Sequence, residues 1–125
     1  MTDQELIQTI NTAAYEVRRH LTPGYLESVY GKALVYELKS RGLNAEIEVP
    51  LQVLYKGCVV GEFRADIVVE GRVIIELKSV REINPAHEAQ LVNYLTATGI
   101  DNGILINYGG EKFAFRVKNR IYNRS

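Results

Sequence analysis

Apolar positions recur at helical spacing from the start of the chain. Leu6, Ile7, Ile10, Ala13, Ala14 and Val17 follow Thr2 and Asp3, either of which can cap a helix over about 3–20. Leu21-Thr22-Pro23-Gly24 ends it. A second helix is expected from about Tyr25 to Arg41, with Leu26, Val29, Tyr30, Ala33, Leu34 and Leu38 on its buried stripe and Gly42 as its stop. The pattern then switches to alternation. Over 45–55, Ala45, Ile47, Val49, Leu51, Val53 and Tyr55 fall on one face, with Glu46, Glu48 and Gln52 on the other. Lys56-Gly57 reads as a turn, and strands over 59–69 and 72–79 around Glu70-Gly71 complete an antiparallel meander.

Asn84-Pro85 predicts a third helix, an Asn cap with Pro at the first helical position, and Leu91, Val92 and Leu95 supply its buried stripe as far as Gly99. Gly103 then opens Ile104-Leu105-Ile106, an apolar run typical of a strand covered on both faces and paired in parallel. Strand, helix and strand in that order make a right-handed βαβ crossover. A last strand is expected over about 112–117. The chain has no internal repeat, low-complexity stretch or linker, so the expectation is one α/β domain of the α+β type over 1–125.

Composition supports that reading and narrows it. With 125 residues, 46% of them hydrophobic and 24% charged, the chain can bury one core. No stretch approaches the roughly 20 apolar residues of a membrane span. The opening Met-Thr-Asp-Gln-Glu lacks a secretory pattern, so the cytoplasm is the expected compartment and no membrane partner is expected. The lone Cys58 has no partner for a disulfide or a zinc site, which leaves oxygen ligands for any metal chemistry. Fifteen basic residues balance fifteen acidic ones, which argues against a broad basic footprint for nucleic acid. The balance is uneven along the chain. Lys112, Arg116, Lys118, Arg120 and Arg124 sit in a terminal stretch with no acid, leaving the preceding residues at minus five. A basic end over about 116–125 is either a solubilising terminus or a nucleic-acid contact.

The stretch Phe63 to Lys78 carries the candidate chemistry. If Ala65, Ile67 and Val69 share an apolar face with Val73, Ile75 and Leu77, then Asp66, Glu76 and Lys78 gather on the opposite face. A turn centred on Gly71 sets Asp66 directly across from Glu76, with Cβ atoms about 4.5–5.5 Å apart. Two unit charges 4 Å apart repel by roughly 4 kcal/mol at an effective dielectric of 20. Such a pair must share a proton or bind a cation. Oxygen ligands suit Mg²⁺ or Mn²⁺, and Lys78 on the same face could orient a water or stabilise charge growing on phosphate. The competing reading is a charged checkerboard on a half-exposed sheet, with Arg64 or Lys78 paired to the carboxylates.

These residues carry a resemblance. Asp66 followed by Glu76-Leu77-Lys78 is similar to the PD-(D/E)XK nuclease signature, with Ala65 where the name has Pro. Gln90-Leu91-Val92-Asn93-Tyr94 resembles the Q-x-x-x-Y motif of that superfamily's recombination-exonuclease branch. Gly24-Tyr25-Leu26-Glu27-Ser28-Val29-Tyr30 resembles the motif that names the GxxExxY family. Val49-Pro50-Leu51, Tyr55-Lys56-Gly57, Phe63-Arg64-Ala65-Asp66 and His87-Glu88-Ala89-Gln90-Leu91 extend the likeness over about 6–117, and the chain is identified as a member of that family.

The resemblance implies a restriction-endonuclease-like mixed sheet flanked by helices. It implies Asp66 and Glu76 as metal ligands, the Leu77 carbonyl as a further one, Lys78 as the catalytic lysine and Glu27 as the helix-borne acid. Gly24, Glu27 and Tyr30 recur every third residue and should lie along one helical stripe, Gly permitting close backbone approach. Gln90 and Tyr94 share a face, with His87 at the helix start, and Gln90 would orient Lys78 or a phosphate. Taken alone, Glu27 reads as a solvated acid, Tyr30 and Tyr94 as core-edge residues and His87 as a surface or cap histidine rather than a ligand. The likeness favours function for Glu27 and Gln90, leaves Tyr30 and Tyr94 balanced, and does not decide His87, which the motif does not require. The implied activity is Mg²⁺- or Mn²⁺-dependent hydrolysis of DNA or RNA phosphodiesters, in which the metal lowers the pKa of a bound water. Arg64, Arg116, Lys118 and Arg120 are the expected nucleic-acid contacts, and a homodimer would enlarge the gripping surface. The alternatives are a non-catalytic nucleic-acid-binding or protein-interaction module of the same fold, and a metal-binding scaffold that works as an oligomer.

Overall fold

The structure, a computed structural model, describes residues 1–120. Helix α1 (Asp3–His20) starts on a reciprocal cap. The Thr2 hydroxyl accepts from the Glu5 N–H at 3.1 Å, and the Glu5 carboxylate accepts from the Thr2 N–H at 3.0 Å. Its buried stripe is Leu6, Ile10, Ala13, Ala14 and Val17, as the periodicity predicts. Helix α2 (Glu27–Ser40) begins two residues later than expected and buries Tyr30, Gly31, Leu34 and Leu38, while Leu26 and Val29 stand exposed. The stripe is rotated because Gly31, rather than a larger residue, meets the sheet. A Cβ at Gly31 would lie 3.2 Å from Leu77 Cδ1.

Strands β1 (Ala45–Tyr55), β2 (Cys58–Val69) and β3 (Val73–Lys78) form the expected antiparallel meander. Helix α3 (Pro85–Thr98) then crosses to β4 (Asn102–Asn107), which pairs with β3 in parallel, and β5 (Ala114–Asn119) returns antiparallel to β4. The sheet runs β1-β2-β3-β4-β5, a mixed five-stranded α+β arrangement of restriction-endonuclease-like type. Every residue of β4 is buried, Ile104-Leu105-Ile106 as their apolar run predicts and Asn102 and Asn107 in addition. Strand β5 starts two residues later than expected. The Arg18 guanidinium donates to the carbonyls of Tyr108, Gly110 and Glu111 at 3.0–3.1 Å, holding that segment as a loop.

One apolar cluster lies between the sheet and the α1–α2 layer, and a second beneath α3. The strands do not keep one face throughout. Ala45 joins the first cluster and Ile47 points toward Gly31 of α2, but Val49 and Leu51 pack on the α3 side. In β2, Ile67 and Val69 face α1–α2, whereas Ala65 is buried beneath α3. This corrects the single apolar face expected for 45–55 and for Ala65 with Ile67 and Val69. The alternation inverts at Glu48, which has a left-handed φ of 51°, and at Asp66 across from it. Among the described residues, no helix is long and apolar enough to cross a membrane.

Candidate active site

The β2–β3 hairpin turns on Glu70, Gly71 and Arg72. Val69 pairs with Val73, Val68 with Ile74 and Ile67 with Ile75. Glu70 and Gly71 take left-handed φ values of 54° and 63°, the twist a tight hairpin requires. This register puts Asp66 opposite Glu76, as expected for a turn centred on Gly71. At that point the side chains join the two strands. The Glu76 carboxylate accepts from the Asp66 N–H at 2.8 Å, and the Asp66 carboxylate accepts from the Leu77 N–H at 2.7 Å.

These crossed bonds orient both carboxylates while occupying one oxygen of each. Burial pushes Asp66 up from the ordinary carboxylate range, against the Leu77 N–H and the Lys78 charge. Burial also pushes Glu76 up, to about 8, and the neighbouring Asp66 charge adds to the shift. The pair therefore retains a proton near neutrality, one of the two solutions foreseen for facing carboxylates. A cation is the other. Among the described residues neither carboxylate makes an ion pair, so the checkerboard with Arg64 or Lys78 is not what forms. Lys78 lies near enough to act on both acids by charge, and Arg64 is exposed in β2.

The donor chemistry fits a hard divalent ion. The two half-buried carboxylates lie within hydrogen-bonding reach of each other, and the Leu77 carbonyl projects to the same side of β3 as its N–H, toward Asp66. A closed cage is absent: among the described residues no three Asp, Glu, His or Cys side chains converge on one point. Glu48 was not singled out by motif or spacing. It stands opposite Asp66 between the Ile47–Ile67 and Val49–Ala65 pairs, and its charge raises Asp66 further. Regular alternation disguises it as an ordinary polar residue, because a left-handed Glu has no sequence signature.

The helical motifs approach from opposite layers. Tyr30 is fully buried, its ring stacked on Tyr108 at 4.6 Å and 5°. Its hydroxyl donates to the Thr22 carbonyl at 2.6 Å and accepts from the Tyr25 N–H at 3.3 Å, closing the loop before α2. Gly24 lies in that loop with φ 123°, outside the helix. The expected stripe of Gly24, Glu27 and Tyr30 is thus corrected. Gly24 serves a turn rather than close approach, since a Cβ there would meet nothing within 4 Å. Glu27 is the exposed first residue of α2, and the Ser79 hydroxyl donates to the Tyr25 carbonyl at 3.3 Å, tying this loop to the end of β3.

On the other layer, Tyr94 stacks on Phe63 with ring centroids 3.5 Å apart, fastening α3 to β2, and Gln90 is exposed one turn earlier. His87 is a cap. Its N–H donates to the Asn84 side chain at 3.1 Å and its Nδ1 accepts from the Asn84 N–H at 3.3 Å. Three of the basic residues expected to contact nucleic acid are paired within the fold. Arg116 and Lys118 hold Glu88 at 3.3 and 2.7 Å, and Arg120 holds Asp101 at 2.6 Å. The rest of the basic end, from 121 onward, lies outside the described residues.

A sequence model described as the PD-(D/E)XK nuclease superfamily matches residues 4–120, and the chain belongs to that superfamily. No curated protein matches it. Its fold is similar to that in the "Crystal structure of SSO0001", with a TM-score of 0.56 and 24% identity. The alignment covers 78% of this chain and 52% of that one, so the chain spans about half the length of that protein.

Proposed function

We propose that the chain is a divalent-metal-dependent nuclease of the GxxExxY branch, hydrolysing phosphodiesters of DNA or RNA. One observation carries the reading: Asp66 and Glu76 cross where β2 and β3 meet, each oriented by the other strand's N–H, with Lys78 beside them. Asp66, Glu76 and the Leu77 carbonyl would hold Mg²⁺ or Mn²⁺, and Glu27 would reach the open side from the end of α2. The ion supplies Lewis-acid activation of water and neutralises charge on the phosphate. Lys78 faces the charge that develops on phosphoryl oxygen. Gln90 positions Lys78 or a phosphate from α3, and Gly24, Tyr30 and Tyr94 keep the two helices in place.

The test is cleavage of labelled single- and double-stranded DNA and RNA with Mg²⁺ or Mn²⁺. Asp66→Asn, Glu76→Gln and Lys78→Ala should each reduce the rate by about 10²-fold or more, the usual order for losing a group that acts on the transition state. Cleavage unchanged in Asp66→Asn would refute the assignment. Wild-type protein that binds these nucleic acids and cleaves none would support the non-catalytic module, which the lack of a third converging ligand favours.

A further inference from the structure

A cleft of about 590 Å³ lies one strand away from the carboxylate pair, on the far side of Lys78. Lys78 of β3 pairs with Asn107 of β4, and Asn107 pairs with Ala114 of β5, so the three form one row across the sheet. Asn107 and Ala114 line the cleft. Neighbouring strands are about 4.8 Å apart, which sets the cleft roughly 5–10 Å from Lys78.

Its walls combine two kinds of surface. Ile83 and Ala114 are apolar and half-buried, as is Phe113, whose ring packs against Tyr15, Tyr108 and Phe115, whereas Arg81, Lys112 and Arg116 bring cations to the rim. Arg116 is already held by Glu88. Among the described residues, Arg81 and Lys112 have no ion-pair partner, although most of the chain's other arginines do. Two acids, Glu82 and Glu111, also border the cleft, so with Arg116 held by Glu88 the rim charges balance.

The floor is built rather than incidental. The Asn107 side chain accepts from the Val80 N–H at 3.0 Å and donates to the Val80 carbonyl at 2.8 Å, fixing the chain just before Arg81. Gly109 packs against that segment so closely that a Cβ would lie 2.5 Å from Ser79 and Val80 backbone atoms. Arg18 clamps the carbonyls of Gly110 and Glu111 just before Lys112. Arg81 and Lys112 therefore project from two backbones locked to each other.

We propose that this cleft is a subsite for single-stranded nucleic acid flanking the scissile phosphate, with a base against Ile83 and backbone phosphates on Arg81 and Lys112. Apolar or aromatic surface beside cations is how proteins hold unpaired strands without reading sequence. The inference rests on the nuclease reading and extends it to one flank of the scissile phosphate. It also adds to the expected nucleic-acid contacts Lys112, from the acid-free basic stretch, and Arg81, which motif and spacing did not mark.

The test is fluorescence anisotropy with a labelled single-stranded 12-mer of DNA or RNA in EDTA, beside cleavage of the same oligonucleotide with Mn²⁺. Arg81→Ala and Lys112→Ala, singly and together, are compared with Lys32→Ala/Lys39→Ala on the outer face of α2. The cleft double variant should weaken binding about 10-fold at low salt and flatten log K against log salt by about 1.4, or 0.7 for each phosphate contact. Glu111→Gln should tighten binding, and the α2 control should change it less than about 2-fold. Wild-type cleavage together with binding unchanged in the double variant would overturn the cleft and leave the nuclease reading intact. Binding lost in the double variant, with no cleavage by wild type, would keep the cleft and overturn the catalytic reading.

Discussion

Asp66 and Glu76 act on folding before they act on any ligand. Glu76 has an ordinary value of 4.5 and is held at about 8 in the folded chain. Between those values the folded form binds more protons than the unfolded form, so stability falls as pH rises through that window. The carboxyl is mostly buried, and the loss should be on the order of 2–4 kcal/mol. Urea melts in EDTA at pH 5 and pH 8.5 should show it. Glu76→Gln, which keeps the protonated shape, should flatten the difference, and an equal loss in variant and wild type would refute the assignment. Asp66, Glu76 and Lys78 were legible in the sequence because the turn at Gly71 fixes which residues of the hairpin face each other. Glu48 was not, because its backbone conformation, rather than its place in the alternation, brings it opposite Asp66.

Helix and strand starts were legible to within two residues, and the misses have physical causes. Helix α2 starts at Glu27 because the Tyr30 hydroxyl draws Thr22 and Tyr25 into a loop, a contact eight residues apart that no periodicity encodes. Strand β5 starts at Ala114 because Arg18, some 90 residues earlier, takes the carbonyls before it. The G-x-x-E-x-x-Y spacing is thus explained as a device for beginning a helix: Gly turns, Tyr closes, and Glu opens the first turn. Tyr30→Phe keeps the stacked ring and removes the hydroxyl, so it should destabilise the chain by about 1 kcal/mol, the usual net worth of a hydrogen bond. Cleavage should fall as well, through loosened placement of Glu27. Denaturation and activity measured together test this, and unchanged stability would show that the loop closes without the hydroxyl. On the other layer, Phe63 and Tyr94 should show a coupling of about 0.5–1.5 kcal/mol in a double-mutant cycle through leucine. No coupling would mean that the stack does not hold α3.

Zero net charge gave the sequence its least informative number, and the fold explains why. Half of the described basic residues neutralise acids or satisfy carbonyls inside the structure: Arg72 pairs with Asp3, Arg116 and Lys118 with Glu88, and Arg18 binds three carbonyls. Among the described residues, the cations without an ion pair include Lys78 and, at the cleft beside it, Arg81 and Lys112. On one side of Lys78 is a carboxylate pair that retains a proton, and on the other a cleft with two unpaired cations. A cation entering the pair must therefore displace a proton. Calorimetric titration with Mn²⁺ in two buffers of different ionisation enthalpy should report release of about one proton per ion at pH 7 and close to none at pH 9. Affinity should rise over the same interval, because the displaced proton no longer competes. At 100 times the dissociation constant the bound ion should stabilise the chain by about 2.7 kcal/mol, and Asp66→Asn should abolish both the stabilisation and the proton release. Binding at pH 7 without proton release would show that the ion sits elsewhere than between Asp66 and Glu76.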